Sequence, residues 1–102
     1  MEFLVEFELD IPNNVPNSEV KERERAESIQ ADALADQGRL VRLWRASTGN
    51  GPTTILGLYR ADSRAELDEL LGALPLYEWM RTSITPLFQH PNDPVGVRAT
   101  AE

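Results

Sequence analysis

Residues 3–11, FLVEFELDI, alternate between two sides of the chain. Phe3, Val5, Phe7, Leu9 and Ile11 face one way; Glu2, Glu6, Glu8 and Asp10 face the other, with Leu4 the exception. A two-residue period predicts a strand with one buried face. The turn-rich PNNVPNS that follows ends it, because its prolines and asparagines disfavour both ladder and helix. From Ser18 to Gln37 the period becomes helical. The first half is charged, with Glu19 and Arg23 one turn apart for mutual support. The second half carries Ala26, Ile29, Ala33 and Leu34 as an apolar stripe, and Gly38 stands where a left-handed C-terminal residue is expected.

Two further strands are predicted over 39–46, RLVRLWRA, and 53–60, TTILGLYR, joined by the glycine-containing loop STGNGP as an antiparallel hairpin. Ser63 opens S-R-A-E, a capping box in which Ser63 and Glu66 satisfy each other's helix-start donors. Leu67, Leu70, Leu71 and Leu74 form the apolar face of that second helix, which Pro75 stops. LYEWM is a short connecting turn. Residues 81–90, RTSITPLFQH, form a fourth strand, placed at an edge or a bulge by Pro86. The order β-α-β-β-α-β predicts an α+β fold of the split-βαβ, ferredoxin-like plan. Its helices cover one sheet face only. Trp44, Leu56 and Phe88 then suggest apolar area on the other face, which favours a partner sheet and hence a dimer or larger assembly.

The chain has 102 residues, enough for one domain with a modest core. It has no cysteine, which excludes disulfides and thiolate zinc sites. The net charge of −7 disfavours a nucleic-acid partner, since that affinity comes largely from Lys and Arg on phosphates. No apolar stretch approaches membrane-spanning length and no basic flank precedes an apolar run at the start, so a cytoplasmic protein is expected. Arginines cluster locally at Arg23 and Arg25 and again at Arg39, Arg42 and Arg45. Such clusters are usually solvated surface; an organic acid is the ligand they could hold.

Several segments fall together in a known order. They are the Pro/Asn-rich lead-in to a charged helix, the spacing from Glu27 to Gly38, LWR at Leu43–Arg45, LPLYEWM at Leu74–Met80, and HP at His90–Pro91. Over Met1 to about Pro91 the chain resembles the muconolactone delta-isomerase family, which sets off residues 1–91 as the domain and 92–102 as a C-terminal tail. The resemblance implies a dimeric α+β barrel built from ferredoxin-like protomers, assembled into rings that are typically decamers. It also implies a cofactor-free isomerase that shifts a proton and a double bond in a butenolide acid of aromatic-compound catabolism.

Such a shift needs a base for a carbon-bound proton and a group that stabilises dienolate charge. A carboxylate in a water-poor pocket suits the first task, because desolvation raises its pKa. Glu27, at the family helix's glutamate, is the candidate catalytic base; the plainer reading is a surface glutamate paired with Arg23. Arg45 is the candidate anchor for a substrate carboxylate, against the plainer reading of a strand-edge arginine. Arg23, Trp44, Tyr77 and His90 complete the candidate substrate-binding set. For Trp44, Tyr77 and His90 structural packing is the alternative, and strand alternation puts Trp44 and Arg45 on opposite faces. Glu24 stands where family members often carry a lysine. The hairpin departs most: it is longer, lacks a histidine or lysine at its turn, and ends in Tyr59-Arg60 instead of aromatic–aspartate. Two other readings stay open: a cofactor-independent cyclase or dehydratase of biosynthesis on the same barrel, and a non-catalytic binding or assembly protein. An apolar cavity containing Glu27 favours catalysis; a cavity filled by side chains favours assembly.

Overall fold

The structure is a computed structural model that describes residues 1–47, 49 and 53–95. Its elements are β1 (Glu2–Leu9), α1 (Asn17–Asp36), β2 (Leu40–Ala46), β3 (Thr54–Arg60), α2 (Arg64–Gly72), a 3-10 turn (Tyr77–Trp79) and β4 (Met80–Leu87). The four strands form one antiparallel sheet in the order β2-β3-β1-β4, the ferredoxin-like arrangement expected from the element order.

One face of β1 makes the core. Phe3, Val5 and Phe7 are buried against Leu34 of α1 and Leu67 and Leu71 of α2, with Tyr59 and Leu74 in the same cluster. Register extends that helix-side face across the sheet. Gly57 lies opposite Val5 and Tyr59 opposite Phe3, while Leu43 lies opposite Gly57 and Arg45 opposite Ile55. Strand alternation assigns Leu4, Leu56, Leu58, Trp44 and Leu87 to the other face, opposite the one on which α1 and α2 pack.

The helix ends follow local chemistry. At the end of α1, Gly38 adopts φ +75°. Its N–H donates to Ala35 O and that of Arg39 to Leu34 O, the paired bonds of a Schellman motif. At the start of α2 the capping box is half-formed. Ser63 Oγ accepts from Glu66 N–H at 3.1 Å, but the Glu66 carboxylate turns away to pair with Arg39. That ion pair ties the start of α2 to the turn between α1 and β2.

Two strands are shorter than their patterns suggest. β1 stops at Leu9: Asp10 N–H still donates to Trp79 O in register, but Trp79 N–H turns back to Leu76 O in the 3-10 turn. β4 stops at Leu87 instead of residue 90, because Leu87 pairs with Glu2 and β1 offers nothing beyond. Pro86 sits on this edge strand, as its missing N–H requires. Most of the hairpin loop STGNGP and the end of the tail lie outside the described residues.

Candidate active site

α1 crosses the helix-side face of the sheet and leaves a cavity of about 520 Å³ beside it. Its walls are largely apolar: Phe7 and Leu9 from β1, Leu40 and Leu43 from β2, Ile55 from β3, Leu76 from the segment after α2, and Met80 at the start of β4. The polar groups that reach it include Glu27 and Ser28 on α1, Arg45 on β2, and Thr53 and Tyr59 at either end of β3.

Glu27 is half-buried, one turn after Arg23. Its Oε1 accepts a hydrogen bond from Leu76 N–H at 3.0 Å. Burial pushes its carboxyl above the ordinary carboxylate range, and the Leu76 bond, which favours the charged form, offsets only part of that rise. The partner that a surface glutamate would have taken is engaged elsewhere. Arg23 forms ion pairs with Glu78 and, at 3.5 Å, with Glu19. It donates to Pro75 O at 3.2 Å and lies over the Trp79 ring, 4.3 Å from its centroid. Pro75 O and Leu76 N–H belong to one peptide group, so α1 holds both of its ends.

Arg45 lines the cavity at its exposed side, on the same face as Ile55. Trp44 points to the opposite face, 39% exposed, with the Arg42 guanidinium 5.1 Å from its ring centroid. Tyr77 is 40% exposed on the 3-10 turn, away from the cavity. His90 lies beyond β4 in a separate depression with Glu2 and Phe88, and its Nδ1 accepts from Asn92 N–H at 2.9 Å. Of the residues expected to bind substrate, then, Arg45 alone lines this cavity; Arg23, Trp44, Tyr77 and His90 do not. Arg60, a cation at the altered hairpin end, is paired with Glu2 at 2.9 Å instead of facing the cavity.

Two groups at the site escaped the sequence reading. One is the Leu76 N–H, which no side-chain pattern could reveal. The other is Tyr59, only 3% exposed yet part of the cavity wall. Its ring packs edge-on against Phe7 at 6.1 Å between centroids and lies across Gly57. A Cβ at Gly57 would fall 2.6 Å from Tyr59 Cε2. Burial, and secondarily the Glu27 charge, push the Tyr59 phenol up to about 12. The signal was available in the alternation of β3, which puts Tyr59 and Gly57 on the same face as Ile55.

Comparison with known proteins decides the family. The family model for muconolactone delta-isomerase matches residues 1–93. The chain belongs to the muconolactone delta-isomerase family. It is 34% identical over 95 residues to muconolactone delta-isomerase 1 of Acinetobacter lwoffii, covering 90% of this chain and 93% of that one. It is 28% identical over 92 residues to the muconolactone delta-isomerase of Cupriavidus pinatubonensis, covering 90% and 97%. Among solved structures, a muconolactone isomerase superposes with a TM-score of 0.80 at 23% identity, over 92% of this chain and 95% of that one. A 5-chloro-2-hydroxyhydroquinone dehydrochlorinase from Burkholderia phenoliruptrix superposes at 0.56 and 16% identity, over 88% and 96%. These structural likenesses show that this member of the isomerase family has the family's α+β fold.

Proposed function

We propose that the chain isomerises a butenolide acid of muconolactone type, with Glu27 moving the proton. Family membership makes the chain an isomerase; the substrate and the residue roles are our reading. The observation that carries it is the position of Glu27: a half-buried carboxylate with a raised pKa, on the wall of an apolar cavity.

The geometry suits a short reaction. The substrate carboxylate pairs with Arg45 at the exposed side, where a guanidinium can hold it through two hydrogen bonds. The ring lies among Phe7, Leu40, Ile55 and Met80, which exclude water. Glu27 as carboxylate takes the ring proton, and the electron pair left behind spreads through the conjugated lactone to its carbonyl oxygen. Protonated Glu27 then returns the proton to the far carbon, and the double bond has moved. Neither electrons nor atoms leave the substrate, so the reaction as written needs no cofactor. The Leu76 N–H keeps the carboxylate oriented between the two transfers. Arg23 acts on the site indirectly, by fixing the peptide group that carries that N–H.

In the same reading a second copy of the chain covers the open sheet face, where Leu4, Leu56, Leu58 and Trp44 are left without helices. Tyr77 and His90 lie outside the cavity of one chain, and their part belongs to that assembly. No helix among the described residues is long and apolar enough to cross a membrane; a cytoplasmic location is part of the proposal. The cavity is open and contains Glu27, which favours catalysis over a purely assembling protein. The test is turnover of muconolactone by the purified chain, followed by ultraviolet absorbance. Loss of the substrate's absorbance at enzyme-dependent rates is expected; a rate equal to the buffer blank would overturn the substrate assignment.

A further inference from the structure

We propose that the Tyr59 hydroxyl is the donor that binds the lactone carbonyl oxygen and stabilises the charge collecting there when Glu27 takes the proton. The inference deepens the isomerase reading and rests on it. A base alone does not make such a reaction fast: the oxygen that receives the electron pair needs a fixed donor in a dry site. Ser28 and Thr53 are exposed. Arg45 is exposed as well and is committed to the carboxylate. Tyr59 is the buried donor on this wall.

Its placement is specific. Tyr59 starts at the level of Phe3 but its ring lies back over Gly57, toward Phe7. The missing side chain at Gly57 is what lets the ring lie there. Arg45 sits across from Ile55, two residues along β3 from Gly57. Arg45 and Tyr59 thus reach the same cavity from neighbouring strands. Glu27 acts on Tyr59 through charge, and its own hydrogen bond comes from Leu76. The phenol's raised pKa also keeps it protonated, hence a donor, throughout the working range.

Two measurements on Tyr59→Phe, which keeps the ring and its packing, test this. In muconolactone turnover, kcat should fall roughly a hundredfold with KM little changed, the pattern of a contact made in the transition state. Independently, the saturated lactone acid γ-carboxymethyl-γ-butyrolactone, which has no ring double bond to move, is bound to both proteins. Its carbonyl stretch is then read by infrared difference spectroscopy. A lower frequency on the wild-type chain than on Tyr59→Phe is expected. Equal frequencies, no binding of the lactone acid, or an unchanged kcat would overturn the assignment. If muconolactone is not turned over but the carbonyl shift is present, the Tyr59 contact stands and the substrate assignment fails.

Discussion

Arg23 and Glu27, one turn apart on α1, hold the two ends of a single peptide group. Arg23 donates to the Pro75 carbonyl at 3.2 Å and Glu27 accepts from the Leu76 N–H at 3.0 Å. The candidate base and the loop that orients it are thereby fixed by one helix. Pro75 lies just beyond α2, which ends at Gly72, and its carbonyl is the acceptor for Arg23.

Arg23→Ala should loosen that peptide. It removes a hydrogen bond from a charged donor, two ion pairs and the stacking on Trp79, for a stability loss of about 1–2 kcal/mol in urea denaturation. Because the Leu76 N–H is no longer braced, turnover should fall as well, and Arg23→Lys should restore part of both. A variant with unchanged stability and turnover would show that the bracket carries no weight.

Glu27→Gln separates function from stability. Losing the base should lower kcat on the order of a thousandfold, within the range of acid–base contributions. Stability should move the other way at neutral pH. Folded Glu27 keeps its proton to a higher pH than its ordinary value of 4.5. Between 4.5 and that raised value the folded chain binds more protons than the unfolded one, so stability falls as pH rises through the window. Glutamine has no charge to desolvate and can still accept from Leu76. Denaturation midpoints should therefore shift in favour of Glu27→Gln as pH rises from 4 to 7, and a constant difference would contradict the buried-carboxylate account.

The same group sets the pH dependence of activity. The free enzyme needs Glu27 as carboxylate, so kcat/KM should rise with pH through a value above the ordinary carboxylate range. A profile that is flat from about pH 4 upward would remove Glu27 from the rate-determining proton transfer.

Gly57→Ala should be destabilising although it adds only a methyl group. Its Cβ would fall 2.6 Å from the Tyr59 ring, which is held by Phe7 and the core. Overpacking of this kind costs about 1–3 kcal/mol. The effect should shrink in a Tyr59→Ala background, a coupling that a double-mutant cycle in denaturant measures directly.

Trp44→Glu places a charge on the open sheet face and leaves the helix-side cavity untouched. If a second copy covers that face, sedimentation should show the variant shifted to monomer. An unchanged sedimentation coefficient would point the assembly elsewhere.

Much of this architecture was legible because its signals are local. The alternation of Phe3, Val5 and Phe7, the Gly38 helix end and the Ser63 cap each act within a few residues. The same alternation separates Arg45 from Trp44. Long-range partners were not legible in this way. Glu66 completes a capping box in sequence but pairs with Arg39, which the fold brings beside it. The sequence reads Glu27 either as a pocket base or as a surface glutamate paired with Arg23; its partner is a backbone N–H 49 residues away. Tyr59 was read only as a departure from a family pattern, because its meaning depends on Gly57 and on α1 crossing above it. His90 begins the HP dipeptide that carries part of the family resemblance, yet a neighbouring residue in sequence, not the cavity, provides its contact.

The most direct test is isomerisation of muconolactone in deuterated buffer by the wild-type chain and by Glu27→Gln, with the product analysed by proton NMR. The account predicts enol-lactone product from the wild type, formed by transfer through Glu27, and formation on the order of a thousandfold slower from the variant. Product formation at the wild-type rate by Glu27→Gln would contradict it.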